Sequence, residues 1–166
     1  MSYFFTCIKW SLDTSASAVA SRKQQLMDEK VYPLQQLLSF IVTNEEEVID
    51  ALIELKDKKS WSDTVMIKYL FSLLMEGNFY KNIKYLSHFV KSSNDMMLVL
   101  SCIEKYIEEQ DGDIVTLLNG FYEEGVVGEE EIFKWHQSQS KVVSQELSNT
   151  IRHHAKPFIE WLEKED

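Results

Sequence analysis

Apolar residues return every three or four positions along nearly the whole sequence, and that period constrains the fold more than any other feature. Leu34, Leu37, Leu38, Ile41 and Val42 make one stripe, and Val48, Ile49, Leu52, Ile53 and Leu55 the next. Val65, Met66, Tyr69, Leu70, Leu73 and Leu74 follow, then Phe79, Ile83, Leu86 and Val90, then Met97, Leu98, Cys102 and Ile103. A spacing near 3.6 places each set on one face of an α-helix. No alternating stretch is long enough to compete as a strand.

The breaks between stripes read as helix ends. Asn44 with Glu47 resembles a capping box. Ser62 or Asp63, and later Ser93, Asn94 or Asp95, can cap the helices that follow. Gly77-Asn78 is a stop signal, and Asp111-Gly112-Asp113 breaks the chain again. Further helices are expected over 114–122, 129–139 and 144–164. Pro157 lies inside the last, where it removes a backbone donor and crowds the preceding turn. A kink or break is expected near Ala155–Pro157. Residues 1–30 read as a leader or a first helix, and 31–166 as one helical domain. The expected class is all-α: antiparallel helix pairs stacked as a HEAT-like solenoid, with a compact bundle as the alternative.

Five glycines and two prolines in 166 residues are too few for a turn-rich sandwich or barrel. The net charge of −10 is unevenly placed. Residues 104–166 hold 15 acidic and 6 basic side chains, a balance of −9, and residues 1–103 only −1. Such a field repels nucleic acid and anionic membrane and attracts cations. Cys7 and Cys102 form neither a metal spacing nor a disulfide framework. A reduced, cytoplasmic protein is expected, without a signal peptide or a membrane span.

Two boxes within the acidic third mix carboxylates with large aromatic side chains. The first contains Tyr122, Glu123, Glu124, Glu129, Glu130, Glu131 and Trp135, with Gly125 and Gly128 between its two halves. The second contains Phe158, Glu160, Trp161 and Glu163. Glu129, Glu130 and Glu131 suit the first turn of a helix, where the dipole favours negative charge by roughly 0.3–1 kcal/mol each. Glu123 and Glu124 fall at the end of the preceding helix, where the same dipole disfavours them. Both tryptophans lie on apolar stripes and are expected to be at least half structural. A partly exposed Trp161 edged by carboxylates could receive lysine by ion pairing and cation–π contact. A smaller basic face gathers Lys81, Lys84, His88 and Lys91. His153 and His154 have no third ligand at metal spacing. No phosphate loop, nucleophile elbow or supported Cys-His dyad is present, so no cofactor, metal or catalytic residue is expected.

The two boxes resemble the AA-boxes of the W-two domain family, a HEAT-like helical domain related to the MIF4G type and named for two tryptophans. Trp135 and Trp161 match those tryptophans. Val143-Ser144-Gln145-Glu146-Leu147, Ile151-Arg152 and Lys156-Pro157-Phe158-Ile159-Glu160-Trp161-Leu162 are most similar to the initiation factor 5 branch of the family. The chain departs from the pattern at Gly125, where an acidic residue is usual, and at Gly128, where Ser or another residue often stands. The resemblance implies a monomeric protein-binding scaffold of translation initiation. Its implied partners are lysine-rich segments of the initiation factor 2 beta subunit, and initiation factors 3 and 1. It also implies an alternative: guanine-nucleotide exchange on initiation factor 2, as in the epsilon subunit of initiation factor 2B, with Glu45, Glu46, Glu47 and Glu54 as available acidic residues. The zinc-ribbon domain that carries GTPase activation in that branch is not in this sequence. The chain is therefore expected to be a C-terminal domain or a short form.

Overall fold

The computed structural model describes residues 45–76, 79–110 and 112–165, all within the compact unit Asn44–Asp166. Seven α-helices, and no strand, occur among these residues: α1 (Glu45–Lys58), α2 (Asp63–Glu76), α3 (Phe79–Ser87), α4 (Ser93–Gln110), α5 (Ile114–Glu123), α6 (Glu129–Gln137) and α7 (Gln145–Glu165). The leader over 1–30, the stripe over 34–42, the Asn44 cap and the Gly77-Asn78 stop lie outside the described residues.

The helices stack as pairs in two rows. Sequence neighbours pack as α2 with α3, α4 with α5, and α6 with α7. One row runs α2, α4, α6, and the other runs α3, α5, α7. Helix pairs stacked in register in this way form a HEAT-like solenoid, as the sequence pattern implies. The rows close over a continuous apolar core of Leu52, Met66, Leu70, Leu74, Ile83, Leu86, Leu100, Ile103, Leu118 and Phe121, all essentially inaccessible to solvent. Phe71 on α2 stacks on Phe121 on α5, with ring centroids 5.6 Å apart and planes 10° apart.

Polar side chains set the helix ends. Ser62 caps α2, accepting from the Val65 N–H at 3.3 Å. The cap of α4 is Ser92, one residue before the expected set. Its hydroxyl accepts from the Asp95 N–H, and Asp95 reaches back to the Ser92 N–H at 3.0 Å. That reciprocal pair is a capping box with Asp in the third position. Asp113 caps α5 by accepting from the Thr116 N–H at 3.1 Å. Ser144 caps α7 through the Leu147 N–H at 3.2 Å.

Two stripes need correction, and of the kink or break expected at Pro157 the break does not occur. The inward face of α4 is Val99, Leu100, Ile103 and Glu104, while Met97, Leu98 and Cys102 are only half-buried. The stripe of α1 narrows to Val48 and Leu52, leaving Ile53 exposed. Helix α7 runs through Pro157 without a break. Pro157 and His153, whose carbonyl loses its usual donor, are both exposed residues.

One buried ionic network ties α4, α6 and α7 together. The Glu104 carboxylate on α4 has a side-chain exposure of 2%. Its Oε1 accepts from Arg152 Nη1 at 2.5 Å and from the Trp135 indole N–H at 3.0 Å. Its Oε2 accepts from the Ser140 hydroxyl at 2.5 Å. Arg152 on α7 also donates through Nε to the Ser138 carbonyl at 2.7 Å and the Trp135 carbonyl at 3.2 Å. Its guanidinium lies 4.6 Å from the Trp135 ring centroid.

Removing one partner of such a pair strands a buried charge. Arg152→Met is therefore expected to destabilise the fold by about 3–5 kcal/mol, measured by urea denaturation. Adding Glu104→Leu should restore much of that loss; a double variant no more stable than the single one would contradict the network's role. The Asp113 cap yields a pH prediction. The hydrogen bond from Thr116 holds its carboxyl below the ordinary value of 3.8. A folded value lower than the unfolded one contributes stability above pH 3.8, lost as pH falls through the folded value. Asp113→Ala should cost about 1 kcal/mol at pH 7, and the difference from wild type should shrink below about pH 4.

Candidate functional site

The first box is built on a tight helix junction. Helix α5 ends in a left-handed residue, Gly125, at φ +65°. The Val126 N–H bonds the Phe121 carbonyl at 2.9 Å, and the Gly125 N–H bonds the Tyr122 carbonyl at 2.9 Å. That pair of bonds is the Schellman closure, for which a residue without Cβ is favoured. Val126 and Val127 are then buried, anchoring the turn in the core. Gly128 stands at the N-cap of α6 without a side-chain bond, and Glu129, Glu130 and Glu131 form the first turn. The end of one helix and the start of the next are thereby brought within five residues.

The second box lies along the C-terminal half of α7, which packs against α5 and α6. The structure brings the boxes together through their aromatic rings. Tyr122 meets Phe158 edge-on at 6.0 Å and Trp161 edge-on at 6.0 Å. Phe158 and Trp161 lie 5.5 Å apart on their own helix.

The two tryptophans part company. Trp135 is 2% exposed and bonded to Glu104, whereas Trp161 is 39% exposed. Trp135 and Phe158, both expected among the partner-contacting residues, are buried and have no surface to offer. Their packing and, for Trp135, its indole N–H are spent inside the fold. Glu131, more than nine-tenths buried, is likewise withdrawn from the surface.

The remaining carboxylates form the rim. Glu123 and Glu124 are exposed beside the Gly125 turn. Glu129 is half-buried and accepts the Tyr122 hydroxyl proton at 2.6 Å. Glu130 pairs with Lys134 at 2.6 Å, one turn along the same helix. That lysine holds the Glu130 carboxyl below its ordinary value, and the Lys134 ammonium is raised by the same hydrogen bond. Glu160 pairs with Lys156 at 3.6 Å, and Glu163 is exposed beyond it. Both lysine pairs are solvent-exposed and contribute little to stability.

Glu104, Arg152 and Ser140, which hold this region in place, were not among the expected functional residues. One signal was available: Glu104 falls four residues after Leu100, and Arg152 three before Ala155, on stripes that are otherwise buried. On the opposite side of the molecule's charge ledger, His88 and Lys91 are exposed, and the Lys84 ammonium lies 5.3 Å from the Tyr85 ring centroid. The side chain of Lys81 is outside the described residues.

Comparison with known proteins agrees with this architecture. The W2 family model, described as eIF4-gamma/eIF5/eIF2-epsilon, matches residues 95–166. Over 93% of its length the chain is 23% identical to eukaryotic translation initiation factor 5 of Saccharomyces cerevisiae, and it spans 42% of that relative. The solved C-terminal domain of translation initiation factor 5 at low pH shares the fold, with a TM-score of 0.58 at 21% identity, over 83% of this chain and 90% of that one. The match to the W2 family model thus takes in both boxes, and the likeness in sequence and in fold is to translation initiation factor 5 and its C-terminal domain.

Proposed function

We propose that this chain is a non-enzymatic binding module of translation initiation that grips lysine-rich segments of partner factors. The W2-like domain would span residues 31–166. The observation that carries the reading is a half-exposed aromatic pair, Trp161 and Tyr122, set among carboxylates in the part of the chain with a balance of −9. Glu123, Glu124, Glu129, Glu130, Glu160 and Glu163 supply the charge, and Trp161 supplies apolar area and a ring face for an ammonium group. Glu130 and Glu160 can exchange their own weak lysine pairs for an incoming lysine at small cost. By similarity to initiation factor 5, the partners are the beta subunit of initiation factor 2, and initiation factors 3 and 1, in the cytoplasm.

Calorimetry with a lysine-rich peptide tests this. Binding should weaken steeply between 0.1 M and 1 M salt, as the Debye length falls from about 10 Å to about 3 Å. Combining Trp161→Ala with Glu160→Ala should weaken it by roughly tenfold, and combining Lys84→Ala with Lys91→Ala should not. Salt-independent binding, or dependence on the lysines, would place the contact elsewhere. The W2 description also covers eIF2-epsilon, and Glu46, Glu47 and Glu54 are exposed on α1. A GDP-release assay on initiation factor 2 separates the two functions: acceleration by this chain would reassign it to nucleotide exchange.

A further inference from the structure

Carboxylates of the two boxes differ in what holds them. Glu130 and Glu160 are each neutralised by a lysine of their own helix. Glu129 is instead bonded to an uncharged group, the Tyr122 hydroxyl, at 2.6 Å. A phenol donor orients a carboxylate without cancelling its charge. One lone pair is used, and the others stay available to a cation. The same phenol ring lies nearly perpendicular to Trp161, the exposed aromatic of the second box, and to buried Phe158, with centroids 6.0 Å from each. Tyr122 is thus bonded to one box at its hydroxyl and packed on the other at its ring.

We infer that Tyr122 is the positioning residue that joins the two boxes into one receptor for an alkylammonium group, with the Glu129 carboxylate and the Trp161 indole as its contacting elements. The inference rests on the reading of this face as a surface for lysine-rich segments. A first-turn glutamate loses rotamer freedom when it is immobilised by a ligand. Here the phenol has already removed part of that freedom, so the cost on association falls. The ring's seat on Phe158, itself 4% exposed, gives the phenol a fixed base. Tryptophan is the strongest cation–π ring, and Trp161 has exposed area to offer. The arrangement favours a compact ammonium that can meet carboxylate and ring together.

A double-mutant cycle on the whole chain tests the inference, with a lysine-rich peptide titrated by calorimetry into wild type, Tyr122→Phe, Glu129→Gln and the double variant. Tyr122→Phe keeps the ring and loses only the hydroxyl, and should weaken binding roughly five- to tenfold. Glu129→Gln keeps an acceptor for the phenol and removes the charge, so it reads the same link without touching the ring, and should weaken binding at least as much. In the Glu129→Gln background, Tyr122→Phe should add nothing. An equal further loss there would mean that the Tyr122 hydroxyl acts independently of the Glu129 carboxylate, and would overturn the inference. So would unchanged binding by Tyr122→Phe while wild type binds. Failure of wild type itself to bind is a separate result, visible before any variant, and removes both the functional reading and this inference.

Discussion

The buried Glu104–Arg152 pair is the constraint on which the C-terminal half of the molecule depends. Two charges taken out of water cost several kcal/mol each, and only complete hydrogen bonding offsets that cost. Here both carboxylate oxygens are satisfied by three donors from three segments: Arg152, Trp135 and Ser140. Arg152 also satisfies the carbonyls of Trp135 and Ser138 where α6 ends. Apolar packing alone tolerates small slides of one helix over another, because it has little direction. Helix α6 has only nine residues with which to resist such a slide. Directional bonds to a fixed carboxylate set its register against α4 and α7, and that register fixes where Glu129 stands relative to Tyr122.

The junction at Gly125 then concentrates charge. Glu123 and Glu124 stand at the unfavourable end of the α5 dipole, and Glu129 and Glu130 at the favourable end of α6. The turn places the two ends side by side, so a local cost of a few tenths of a kcal/mol at one end accompanies a comparable gain at the other. Buried valines on the turn supply the apolar anchor that keeps both ends at the surface. The acidic rim is thus carried by a turn anchored in the core, and Glu129 on it is oriented by the Tyr122 hydroxyl.

Much of this was legible in the sequence. Stripe spacing found the helices, and the Asp111-Gly112-Asp113 break marked the boundary before α5. The ionic network was not legible as a network. Periodicity scores a charged residue as a gap in a stripe, and nothing local says that Glu104 and Arg152, 48 positions apart, face each other. The different fates of Trp135 and Trp161 were hidden for a related reason. Both occupy apolar positions on their own helices, and burial is decided by what the other row places over them. At Pro157 the helix continues, because the cost of proline depends on the helix face it occupies and this one is exposed.

Two kinds of electrostatics coexist within this half of the chain, and they respond to different variables. The Glu104–Arg152 pair is shielded from mobile ions by the core and is screened little by salt. The rim carboxylates stand in solvent, where attraction to a cation is weak at any one pair and grows with their number and arrangement. Stability and recognition are therefore nearly separable: rim charges can be gained or lost without disturbing the anchor. Gly125 illustrates the point. A Cβ there would meet nothing within 4 Å, so the position is open in space and restricted only by its φ of +65°. The helix closure is secured by backbone geometry at that position, and the carboxylate usual in similar domains is forgone. The charge of the rim then rests on the neighbouring glutamates, of which Glu129 is oriented by an uncharged donor.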